Sequence, residues 1–195
     1  MTRPGVILYG PPTSGKDTVT AELTRQDDRY ALLPKLKVGT GRSAGYRYVT
    51  ATELEKLRDT GRLVVETHRY GNVYAVDRDD IAALVEADKV PIVHMGNVAD
   101  LRRLRDAVPL DWTAALLWIT RELCADRSKH RGDVDTPKRL QAWDETRNDL
   151  QAATTPVFNL VVHTDRADPA ETARRILAAV ETSPRQLVTP DLEQR

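Results

Sequence analysis

The chain has 195 residues, enough for one domain with a sizeable core. Lysine and arginine number 29, and so do aspartate and glutamate, so the formal net charge is zero; this argues against a nonspecific nucleic-acid binder, which needs a basic surplus. The single cysteine, Cys124, excludes an internal disulfide framework and a cysteine-rich zinc site and suits a reducing cytoplasm, and no apolar run approaches the ~20 residues of a membrane span.

In chain order, the apolar run 6–9 reads as a first strand and is too short for a signal-peptide core. Residues 31–38 form a second run, interrupted by Pro34. Thr50 with Glu53 is a capping-box signature, and Gly61 ends the helix it opens. Runs 63–67 and 73–76, joined by a turn at Gly71-Asn72, predict an antiparallel hairpin. Asp77 and Asn97 each open a helix, on either side of the apolar run 90–95. Runs 114–119 and 157–162 complete the strands. Thr136-Pro137 and Asp168-Pro169 pair a capping residue with proline at the first helical position. Strand–helix alternation predicts an α/β fold, a parallel five-stranded sheet with helices on both faces. The expected division is a single domain over 1–182, with core segments 1–38 and 77–182, an insert near 39–76 and a lid near 127–136. Residues 183–195, with two prolines and no apolar periodicity, are expected to be a loose tail.

The strongest chemical signal is Gly10-Pro11-Pro12-Thr13-Ser14-Gly15-Lys16-Asp17-Thr18, set between a predicted strand and a predicted helix. Its glycines let successive N–H groups face phosphate oxygens, the helix aims its positive end at the same anion, and Lys16 reaches the terminal phosphates of a nucleoside triphosphate. This predicts a nucleoside triphosphate as cosubstrate. Asp17 stands where a Ser or Thr normally offers its hydroxyl to Mg²⁺; a carboxylate is a competent hard ligand, so Asp17 is the expected metal residue. Thr18, one position later, points elsewhere on a helix. Guanine-reading Asn-Lys-x-Asp and switch Asp-x-x-Gly sequences are missing, which excludes the hydrolysing switch proteins. The stretch 127–133, with Arg127, Lys129, His130 and Arg131 beside Gly132, reads as a cationic lid, and Arg139 follows on the next helix.

With these motifs the chain resembles the guanylate kinase family of nucleoside monophosphate kinases and its relative, ribose 1,5-bisphosphate phosphokinase, over about residues 6–180. Gly-Lys-Asp is nearer to the latter than the Gly-Lys-Ser of guanylate kinase. The resemblance implies that Arg42, Tyr46 and Tyr74 hold the acceptor phosphate, while Lys16, Arg127, Arg131 and Arg139 stabilise the transferring group. It has no counterpart for the family's second acceptor arginine. The guanine-reading glutamate falls at Val65, with Glu66 one residue away and so on the opposite strand face unless a bulge intervenes. The family's Asp-x-Asp at the end of a central strand reads Ile92-Val93-His94. His68 matches a histidine of ribose bisphosphate kinase, and His94 ends a strand where ligands of parallel sheets gather. Each reads either as a structural histidine or as a ligand to the acceptor.

The expected activity is therefore transfer of the ATP γ-phosphoryl group, with Mg²⁺, to a small phosphorylated acceptor other than GMP. A specialised nucleotide and ribose 1,5-bisphosphate both stay open as acceptors. A non-catalytic binding module, as in guanylate-kinase-like domains of scaffold proteins, is the alternative class. No nucleic-acid or membrane partner is expected, the location is expected to be cytoplasmic, and the sequence leaves monomer and homodimer open. Trp112, Trp118, Trp143 and Cys124 are expected to pack in the core.

Overall fold

The computed structural model describes residues 2–69, 71–132, 135–182 and 186–192. Two sheets organise the chain. The first contains β1 (Pro4–Tyr9), β2 (Tyr30–Leu32), β7 (Val90–Met95), β8 (Asp111–Trp118) and β9 (Leu160–His163) in the order β2-β7-β1-β8-β9, with every neighbouring pair parallel. Helices α1 (Lys16–Gln26), α3 (Arg78–Glu86), α4 (Val98–Ala107), α5 (Arg121–His130), α6 (Thr136–Ala152) and α7 (Pro169–Glu181) complete this layer. The expected α/β architecture is present.

Alternation along the central strands sorts the core into two halves. Ile7 and Tyr9 face a cluster with Leu101, Leu104, Trp118 and Trp143. Val6 and Leu8 face another, filled by Val19 and Leu23 of α1 and Ala173 and Ile176 of α7. Because both faces of β1 are covered, its sequence is continuously apolar. Burying each such side chain contributes roughly 1.5–3 kcal/mol.

The second sheet has the order β4-β3-β6-β5, from β3 (Lys35–Val38), β4 (Tyr46–Tyr48), β5 (Leu63–Arg69) and β6 (Asn72–Asp77). β5 and β6 form the expected antiparallel hairpin. One face of this sheet packs on α2 (Ala51–Asp59), where Leu36 and Ala75, paired across β3 and β6, meet Leu54; on the other face the pair Val65 and Val76 joins the main core. The capping box of Thr50 and Glu53 starts α2.

Five sequence expectations change. The run 31–38 is two strands in different sheets: Leu33 still donates its N–H to Ile92 O at 2.9 Å, Pro34 has none to give, and the chain crosses to the second sheet at Lys35, earlier than residue 39. Thr136 is the first residue of α6 and not its cap; Asp135 holds that place and makes no side-chain capping bond. Residues 127–130 are helical, since α5 runs to His130 with Arg127, Lys129 and His130 in its last turn, where cations suit the helix dipole; Asp133 and Val134 of the expected lid lie outside the described residues. Part of the expected tail is tied down: Val188 bridges to Phe158, donating to its carbonyl at 2.7 Å, and Leu192 packs on the core. The run 157–162 also shortens, since its strand starts at Leu160. Residues 183–185 and 193–195 lie outside the described residues.

Candidate active site

The glycine-rich loop 10–15 leaves the end of β1 and enters α1. A Cβ on Gly10 would collide with the Leu117 carbonyl oxygen of the neighbouring strand, so only glycine lets the loop turn there. Gly15 takes a left-handed φ of +93° and caps α1, accepting from Val19 N at 2.9 Å. Thr13 is also left-handed, at φ +60°, an uncommon conformation for a β-branched residue. Surrounding contacts hold it: Thr13 Oγ1 donates to Cys124 O at 3.5 Å, and Arg127 Nη1 donates to Thr13 O at 3.1 Å. Lys16 curls over the loop and donates from Nζ to Gly10 O at 2.7 Å and Pro11 O at 2.8 Å. Burial pushes its ammonium down to about 7, with Asp17 pulling the other way.

Asp17 sits in the first turn of α1, between the two sheets' contributions. Arg42 Nη1 donates to Asp17 Oδ2 at 2.8 Å, and His94 Nδ1 lies 3.8 Å from Asp17 Oδ1. Burial opposes ionisation of Asp17, but the Arg42 hydrogen bond and charge outweigh it and hold the carboxyl below its ordinary value. His94 Nε2 shares a hydrogen bond of 2.7 Å with Thr20 Oγ1. Burial, then the charge of Lys16, keep the imidazole neutral at neutral pH. The arrangement thus links a P-loop carboxylate to a histidine at the end of a core strand and an arginine of the insert.

The second sheet turns its charged face toward this loop. In strand register Lys37 lies between Tyr48 and Tyr74, and Lys35 lies beside Tyr46. The rings of Tyr46 and Tyr74 meet at 5.2 Å. One cleft of about 430 Å³ runs between the P-loop and this face. Of the predicted site residues, Gly10, Pro12 to Asp17, Arg42, Tyr46 and Tyr74 line it. His68, His94, Arg131 and Arg139 line it as well. Arg131 stands exposed at the end of α5, and Arg139 reaches Asp135 at 3.4 Å.

Four predicted residues lie elsewhere. Glu66 faces α2, where Arg58 binds its carboxylate at 2.9 Å; the strand irregularity lies before Val65 and leaves Val65 in the core, so the alternation keeps Glu66 turned away. His68 does line the cleft, although it is on the same face as Glu66 and bonds to it at 3.1 Å. Arg127 braces the loop from behind, donating also to Thr164 O at 2.8 Å, so it acts on the P-loop backbone rather than within the cleft. Pro11 contributes its carbonyl to Lys16 from a buried position, and Thr18 is exposed on the outer side of α1, as its helical offset implies.

The cleft also contains residues that sequence patterns did not single out. Lys35 has a sulfur neighbour, Met95 Sδ, at 3.8 Å, and burial pushes its ammonium down to about 8. Arg69 reaches from β5 to α6, donating to Ala142 O at 3.2 Å and Glu145 Oε2 at 3.3 Å. Asp149 accepts from Tyr9 Oη and from Val98 N, both at 2.7 Å, which fixes α6 against the end of β1 and the start of α4. Burial and then the Asp149 carboxylate raise the Tyr9 phenol far above its ordinary value. The available signal for Lys35 was the Lys-Leu-Lys-Val alternation after Pro34, a strand with one polar face; Asp149 belongs to no local motif.

The fold is shared with a solved structure. The guanylate kinase from Anaplasma phagocytophilum superposes with a TM-score of 0.64 at 16% identity, over 94% of this chain and 89% of that one. A gluconokinase from Sinorhizobium meliloti 1021 matches at a TM-score of 0.49 and 16% identity, over 91% of each chain. No family model matches the sequence, and no curated protein matches it. The α/β architecture is therefore that of the solved guanylate kinase. Among the described residues no helix is long and apolar enough to cross a membrane.

Proposed function

We propose that the chain is an ATP-dependent kinase that phosphorylates a small, already phosphorylated acceptor. The observation that carries this reading is the cleft lined both by Lys16 and the P-loop and by Arg42, Tyr46 and Tyr74. The loop fits a polyphosphate: its turn tolerates no Cβ at Gly10, and Lys16 already satisfies its ammonium on loop carbonyls that an anion would replace. Asp17 supplies one hard oxygen at the metal position. No cluster of three or more metal-ligating side chains occurs among the described residues, which suits an ion carried mainly by phosphate oxygens. ATP with Mg²⁺ would supply the activated phosphoryl group.

The chain's own residues then orient and neutralise. Lys16 balances charge on the transferring group, with Arg131 and Arg139 on the lid side. Arg42 grips the acceptor phosphate beside the hydroxyls of Tyr46 and Tyr74. His94, held neutral, orients the acceptor or Asp17 and carries no charge into the site. Arg127 keeps the loop in its strained form. In-line transfer needs no covalent enzyme intermediate.

The acceptor is a compound other than GMP. A buried Val65 and a Glu66 engaged by Arg58 leave guanine's donors without a carboxylate at the expected place. Lys35 and Arg69 in the cleft favour an acceptor richer in negative charge, and support ribose 1,5-bisphosphate as the second reading beside a specialised nucleotide. The intact Lys16 and P-loop weigh against a binding module that no longer catalyses. A cytoplasmic location rests on the lone, buried Cys124. The test is an acceptor panel of nucleoside monophosphates, ribose 1,5-bisphosphate and other sugar phosphates with ATP and Mg²⁺, read by product mass. One phosphorylated product supports the proposal; absence of ATP binding sinks it and promotes the binding module.

A further inference from the structure

Lys37 lies on the charged sheet face and has no part in the mechanism above. It is only 2% exposed. Its ammonium lies over three tyrosine rings, 5.2 Å from the centroid of Tyr46, 5.0 Å from Tyr48 and 5.7 Å from Tyr74. Nζ also donates to the Arg42 carbonyl at 2.9 Å. Tyr48, in turn, donates from its hydroxyl to Gly41 O at 2.8 Å. Among the described residues no carboxylate lies within ion-pair distance of Lys37. A buried cation without an anion is a poor stabiliser, and an apolar residue of similar length would pack the same space at less cost in desolvation. What the ammonium adds is geometry and charge: it fixes two rings that line the cleft and pins the main chain that carries Arg42.

We propose that Lys37 is the positioning residue of the acceptor-phosphate site, acting through Tyr46, Tyr74 and the Arg42 main chain, and that its charge adds to the pull on the acceptor anion. This rests on the reading of Arg42, Tyr46 and Tyr74 as the acceptor grip. Binding of an anion there strengthens the arrangement, because a phosphate draws Arg42 away from Asp17 while Lys37 keeps its backbone in place. Cation–π contacts in such a desolvated setting are worth more than at an exposed site.

The test uses inorganic phosphate as probe, with nuclear magnetic resonance of ¹³C-labelled tyrosine rings reporting the acceptor half and the Gly15 amide reporting the P-loop. In the wild type, phosphate shifts the Tyr46 and Tyr74 signals. In Lys37→Met the affinity read at these rings falls about tenfold, the affinity read at Gly15 holds, and the melting temperature stays level or rises. Lys37→Arg keeps the ring-site affinity within about threefold of the wild type. The proposal is overturned if phosphate leaves the wild-type rings unmoved. It is equally overturned if Lys37→Met binds phosphate at the rings as tightly as wild type, or if both affinities and the melting temperature fall together. A turnover assay on the acceptor panel separates the two claims. No product, with the Lys37→Met loss intact, removes the kinase reading alone; product with a KM unchanged by Lys37→Met removes this inference alone.

Discussion

The two sheets of this molecule use the same alternation for different ends. In β1 both alternating sets are apolar and both are buried, so the strand carries no chemistry along its length and delivers the P-loop from its end. In β3 one set, Leu36 with Ala75 and Leu54, makes a small core, and the other lies on the opposite face, Lys35 in the cleft and Lys37 buried against tyrosine rings that line it. On the proposed reading, chemistry sits at the tip of the deeply packed sheet and on the face of the smaller one. A site built this way has one half fixed by deep packing and another that depends on few apolar contacts.

Substitutions can break this contrast or sharpen it. The largest expected effect is on turnover: Lys16→Ala should lower the rate of phosphoryl transfer by about two to four orders of magnitude while leaving the circular dichroism spectrum intact. On stability, Leu8→Ala in the rigid sheet should cost about 3–5 kcal/mol in denaturant unfolding, against ~2–3 kcal/mol for Leu36→Ala in the smaller core; equal costs would erase the proposed asymmetry. Arg42→Ala should raise the acceptor KM about tenfold or more and change kcat much less, since the guanidinium is assigned to ground-state gripping.

A smaller effect is a proton. Lys16 is depressed to about 7, and bound phosphates would restore its charge, so nucleotide binding at pH 8 should take up close to one proton, falling toward zero near pH 6. Calorimetry in buffers of different ionisation heat measures it; proton release at pH 8 would refute the assignment. The same depression has a stability consequence. Between about pH 7 and the ordinary 10.5 the unfolded chain binds the extra proton, so this lysine makes stability rise with pH through that window. The smallest expected effect is Glu66→Gln, within about 0.5 kcal/mol of wild type and neutral for acceptor KM, because its partner Arg58 is half exposed and both face away from the cleft.

Much of the fold was legible because it is local. The caps at Thr50, Asp77, Asn97 and Asp168 act within a few residues of themselves and appear in place. The P-loop is equally local. The residues that escaped are set by long-range geometry: Asp149 meets Tyr9 across 140 positions, and Arg69 meets α6 across more than 70. Glu66 shows the converse, a residue in the right neighbourhood of sequence whose strand face decides against it. The tail misled for a related reason, since the bridge of Val188 to Phe158 has no periodicity to announce it.

The central claim is that the two halves of one cleft serve one reaction. The most direct test follows γ-phosphoryl transfer from ATP to the acceptor panel in three proteins: wild type, Lys16→Ala and Arg42→Ala. The account predicts a single product in the wild type, none detectable with Lys16→Ala, and with Arg42→Ala the same product at much higher acceptor concentration. Product formation indifferent to Lys16→Ala, or ATP binding with no acceptor phosphorylated at all, would contradict it.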